Sequence, residues 1–168
     1  MDTCAYRQDE RHAVKLTAIS ISAILALVAG TLVYLLDRDW ASLLLLAPFA
    51  SWQPGQAGLF GILGGNLPSF FHAYALASLL IILLGRTPHA RQVGASLWFV
   101  TATALECLQA DQLATLLGTA GVFGSKPGFT ASIYAYIDNG HFDPGDIFAA
   151  ALGCAAAWAV SYVLEERS

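Results

Sequence analysis

The run VGASLWFVTATALECLQ, residues 93–109, is largely apolar up to Leu105 and then carries Glu106 and Gln109 at its end. Read as a helix, it sets Thr103, Glu106, Gln109 and Ala110 on one face, because residues three and four apart are neighbours on a helix surface. A carboxylate placed mid-bilayer costs ~2.5–3.5 kcal/mol on insertion scales, so a membrane helix that carries one usually puts it to use. Reading this stretch as a membrane helix with a polar end decides the fold, because the remaining apolar runs then become spans of the same bundle.

Composition agrees. The 168 residues are 57% hydrophobic and 12% charged, with a mean hydropathy of +0.60, too apolar for an ordinary water-soluble domain. The expected architecture is an all-α membrane protein, one domain over residues 1–168, with about four transmembrane helices near 14–36, 67–85, 93–109 and 146–164 and an interfacial or re-entrant segment near 40–64. The net charge of −4 is small and scattered, which argues against nucleic-acid binding and against a polybasic lipid anchor. Cys4, Cys107 and Cys154 lack a paired metal-ligand spacing, so no metal and no cofactor is expected and the last two read as buried thiols.

Outward from the central run, residues 1–13 are polar, with Arg7 and Arg11, and after Lys15 an apolar run extends from Leu16 to Leu36. That is longer than the apolar core of a signal peptide, about 7–15 residues, so it reads as a retained first helix. Ala18, Ser22, Ala26 and Gly30 recur at every fourth position, a small-residue stripe that lets another helix approach closely, unless it is chance in an alanine-rich chain. Trp40 and Trp52 flank a short apolar run like interface anchors, and Gly55, Gly58, Gly61, Gly64 and Gly65 then form a flexible stretch that either lines a cavity or is a surface loop.

Pro68 reads as the opening proline of the second helix, with His72 about one turn inside, and Arg86, Pro88 and Arg91 end that helix. Residues 110–138 are a long, weakly polar connection expected on the membrane surface. The last helix, Ile147 to Leu164, has Asp146 at the expected N-cap, and Ala149, Gly153, Ala157 and Ser161 make a second small-residue stripe.

Lys and Arg concentrate in the amino-terminal tail (Arg7, Arg11, Lys15), after the second helix (Arg86, Arg91) and in the carboxyl tail (Arg167), which predicts cytoplasmic termini in the plasma (inner) membrane. Four spans in that sense bring His72, Glu106, Gln109, Asp143 and Asp146 into one layer at the outer face. These five are the candidate ligand-binding residues. The alternative is structural: Asp146 as a cap only, His72 bonded to a neighbour, and Glu106 held by backbone amides or a hydroxyl.

At these positions the chain resembles the VanZ-like integral membrane proteins. The carriers are Pro68-Ser69-Phe70-Phe71-His72 opening a helix, Glu106-Cys107-Leu108-Gln109 closing the next, and Gly140-His141-Phe142-Asp143-Pro144-Gly145-Asp146 with Gly153 beginning the last, over roughly residues 66–153. Asn66 stands where that family often has an acidic residue before the His, and Phe148-Ala149-Ala150 where an asparagine often follows the Asp. The family is linked to low-level glycopeptide resistance in its named member, so the resemblance implies a cell-envelope membrane protein.

Three functions are compatible with the sequence. The first is binding of an amphiphile, a lipid headgroup or a lipid-linked ligand, at the outer polar layer, with Glu106 and Asp146 accepting hydrogen bonds and Gln109 orienting the ligand. The second is an accessory subunit docking on a membrane-protein partner through the small-residue faces. The third is an acid–base enzyme on a lipid-linked substrate, with Glu106 or Asp146 as base and His72 as acid, although no nucleophile motif accompanies them.

Overall fold

The second helix is the one against which the other three pack. A computed structural model describes residues 3–37, 39, 49, 51, 58–85, 87–110 and 142–166, and in it four helices form a bundle: α1 Thr3–Asp37, α2 Ile62–Leu84, α3 Ala90–Leu108 and α4 Pro144–Glu166. α2 touches each of the others, whereas α1 and α4 barely meet. Contacts fix the directions. Gly30 of α1 lies against Phe71 and His72, and Ile19 shares a cavity wall with Ile81, so α1 runs antiparallel to α2. Gly94 packs on Ile81 and Gly153 on Phe70 to Tyr74, so α3 is antiparallel and α4 parallel to α2.

Three helices contain segments long and apolar enough to cross a membrane: Ala13–Asp37, Leu63–Leu84 and Pro144–Leu164. The chain is therefore a multi-pass helical membrane protein. α3 is less apolar, but it runs the length of its neighbours, from Arg91 beside Tyr162 to Glu106 beside Asp143, and returns the chain to the face where α2 began. Large side chains point outward, among them Leu25, Leu32, Leu83, Val100 and Leu152, while the interior is built from Ala23, Ala73, Ala77, Ala150 and Ala157. This is the arrangement lipid selects, because small residues at the contact let backbones approach closely and hydrocarbon solvates the rest.

Both small-residue stripes face inward. Ala26 and Gly30 of α1 are buried, Ser22 shares a 2.8 Å hydrogen bond with the Tyr74 hydroxyl, and Ala149, Gly153, Ala157 and Ser161 of α4 are all buried. The faces read from sequence as a docking surface for a partner thus lie against α2 within the chain.

Several boundaries differ from those the sequence predicts. α1 begins ten residues before its apolar segment, because Ala, Gln, Glu and Arg propagate a helix once the span has nucleated it. α2 begins at Ile62, so Pro68 lies inside it and does not open it, and Gly64 and Gly65 are helical. Near a helix start a proline removes a single internal bond, and here the entry is held instead by Asp37, whose Oδ1 accepts from Phe60 N at 2.9 Å and whose carbonyl accepts from Gly58 N at 2.9 Å. A Cβ on Gly64 would overlap the Asp37 carboxylate. At the other end Gly85 closes α2 with φ 56 and donates to the Ile81 and Ile82 carbonyls, a conformation glycine adopts without strain. Arg91, expected in the connection, belongs to the first turn of α3. Most of the segment read as interfacial near 40–64, and residues 111–141 of the long connection, lie outside the described residues.

Candidate functional site

The polar cluster is organised by how α4 starts. Asp143 precedes Pro144, and a residue before proline is held extended, the conformation an N-cap needs. Pro144 is the first helical residue, where a missing N–H costs nothing. Asp143 Oδ1 accepts from Gly145 N at 2.8 Å, and its carbonyl from Asp146 N at 3.0 Å. Asp143 is therefore the cap, and Asp146, expected there from sequence, lies in the first turn with its carboxylate available to another helix.

α2 uses that carboxylate. Ser69 Oγ donates to Asp146 Oδ1 at 2.7 Å, and Asn66 Nδ2 donates to the same oxygen at 3.2 Å and to Asp143 Oδ2 at 3.4 Å. Asn66 and Ser69 are three apart on α2, hence on one face. A Cβ on Gly145 would run into the Asn66 amide and the Asp143 carboxylate, so the close approach of the two helix starts depends on that glycine.

α3 supplies the third side. Glu106 Oε1 accepts from Asp143 N at 2.6 Å. In an ordinary capping box the N-cap N–H bonds a carboxylate three residues later on its own helix. Here it bonds Glu106 of α3, while the carboxylate three residues later, Asp146, bonds α2. The start of α4 is thereby fastened to both neighbours.

Three carboxylates from two helix ends thus meet at one end of the bundle, Glu106 and Asp146 half-buried and Asp143 exposed. Of their six oxygens, Glu106 Oε2 and Asp146 Oδ2 accept no hydrogen bond from a described residue. The charges acting on Glu106 among the described residues are those of Asp143 and Asp146, so no cation balances the cluster. Among the described residues no group of three or more His, Cys, Asp and Glu is arranged to hold a metal ion.

The structure therefore brings together Glu106, Asp143 and Asp146 of the five predicted residues. Gln109 is buried at the end of α3, 8% exposed, with its backbone N–H on the Glu106 carbonyl, and Thr103, one turn deeper on the same face, has a buried hydroxyl without a partner. His72 stands apart: it occupies the face of α2 that meets α1, its ring edge over Gly30, and no hydrogen bond joins it to the carboxylates. A base–acid pairing of Glu106 or Asp146 with His72 has no geometric basis here. Asn66 and Ser69 are the members that sequence reasoning missed, because taking Pro68 as the helix start left Asn66 outside the helix.

The sequence matches no family model, no curated protein and no solved structure.

Proposed function

We propose that the cluster of Glu106, Asp143 and Asp146, with Asn66 and Ser69, receives the polar headgroup of a membrane amphiphile at the outer face of the plasma membrane. The observation that carries this reading is the pair of unfilled carboxylate oxygens, Glu106 Oε2 and Asp146 Oδ2, in a site without a balancing cation. Such a site calls for a donor from outside the chain, an ammonium or several hydroxyls on a headgroup. The apolar half of the ligand has a surface to lie on, since Phe148, Leu105 and Phe142 are exposed at the same end. The order of Glu106-x-x-Gln109 and then Asp146, on which the likeness to VanZ-like proteins rests, falls within this site; His72 does not.

The test is native mass spectrometry of the intact protein over a titration with lipid extract, comparing wild type with Glu106→Gln and Asp146→Asn. Each replacement keeps the size of the side chain and removes a charge-assisted acceptor. Losing one such bond is worth about 1.5–3 kcal/mol, roughly 10- to 150-fold in affinity. The expected result is reduced lipid occupancy in both variants while they remain monodisperse; unchanged occupancy in both would refute the reading.

A further inference from the structure

The bundle has a second polar end, opposite in sign to the first. Lys15 of α1, Gly85 and His89 between α2 and α3, Arg91 of α3 and Ser161 of α4 line a cavity of about 220 Å³ where the four helices end. That is several times the ~30 Å³ a water molecule occupies in the liquid. We propose that this cavity binds the phosphate of an anionic lipid headgroup at the cytoplasmic leaflet.

Four observations lead there. Basic side chains from two helices and an imidazole from the turn between α2 and α3 share one cavity, and no Asp or Glu is among the described residues that line it. Bringing like charges together is unfavourable unless an anion joins them. The Arg91 guanidinium is held at the wall, 5.1 Å from the centroid of the Tyr162 ring, which orients it while leaving its charge undiminished. α3, a 19-residue helix, begins in the cavity with no side chain capping its first turn, so the positive end of its dipole adds to the same field. Finally, Ile81 and Leu164 give one wall an apolar surface, and basic pockets between membrane helices on the cytoplasmic side are where acidic headgroups bind.

The site is independent of the carboxylate cluster, which lies at the far end of α2, α3 and α4. The experiment is calorimetric titration of the full chain in a neutral detergent with dioctanoyl phosphatidylglycerol, dioctanoyl phosphatidylcholine and inorganic phosphate. Phosphatidylglycerol is expected to bind more tightly than phosphatidylcholine. Lys15→Gln and His89→Gly should each weaken it about tenfold, while Lys15→Arg retains it; glycine suits the φ of 63 at position 89, so that variant keeps the turn. Competition by inorganic phosphate would assign the recognition to the phosphate group, and binding of phosphate without phosphatidylglycerol would make the free ion the source of the same chemistry. Equal affinity for the two lipids, affinity untouched by Lys15→Gln and His89→Gly together, or binding of neither anion would overturn the proposal.

Discussion

Gly153→Leu is expected to dismantle the contact between α2 and α4. Any Cβ at this position meets the Phe70 carbonyl oxygen, Tyr74 N and the Ala73 Cβ, at distances that real Cβ atoms do not reach. Two of the three are backbone atoms of a helix and cannot step aside as a flexible side chain would. Overpacking usually costs about 1–3 kcal/mol, and a clash with backbone belongs at or above the top of that range, about 3 kcal/mol or more for leucine. The measurement is the melting temperature and the monodisperse fraction of the detergent-solubilised protein. Gly65→Leu is the control: it lies on α2 with nothing within 4 Å of an added Cβ, and it should be neutral or stabilising, since glycine inside a helix is less favourable than other residues by ~0.5–1 kcal/mol. Equal losses at the two positions would contradict the packing described.

Asp146→Ala should have the second largest effect. It removes the acceptor shared by Ser69 Oγ and Asn66 Nδ2 and leaves two donors at a helix junction with less to bond. Hydrogen bonds to a charged group are worth about 1.5–3 kcal/mol each, and partial exposure lets water recover some of that, so a loss of roughly 2–4 kcal/mol is expected. Asp146→Asn keeps an acceptor oxygen and should lose far less. A double-mutant cycle of Asp146→Ala with Ser69→Ala, followed by unfolding in mixed micelles, isolates the pair; coupling near zero would mean that the 2.7 Å bond contributes nothing to the junction.

What was legible in the sequence follows from what lipid demands of it. The three spans are written as apolar runs of sufficient length, and the Ala18-to-Gly30 and Ala149-to-Ser161 stripes mark the contact faces, because small residues are needed where backbones approach. The level of each polar residue was legible too: counting spans places Glu106, Asp143 and Asp146 at one end. Azimuth was harder. At 100° per residue His72 is turned roughly 120° around α2 from Asn66, so two residues at nearby depth serve different neighbours, Asn66 facing α4 and His72 facing α1. Which face of α2 meets which helix is set by tertiary packing and not by local pattern.

The start of α4 shows the same limit on a smaller scale. Asp143-Pro144-Gly145-Asp146 offers two aspartates, either of which is a good cap. The choice of Asp143 depends on the proline fixing the residue before it and on the presence of Ser69 and Asn66, which take Asp146. Only the second of these required the coordinates.

The central claim is that one bundle presents a carboxylate end to the outside and a basic end to the cytoplasm. The most direct measurement is cysteine accessibility in a chain freed of Cys4, Cys107 and Cys154, with single cysteines at Phe142, exposed beside the α4 cap, and at Thr87, exposed in the turn between α2 and α3. A membrane-impermeant maleimide added to intact cells should label Phe142→Cys at once and Thr87→Cys only after permeabilisation. Labelling of Thr87→Cys from outside, with Phe142→Cys protected until the membrane is opened, would contradict it.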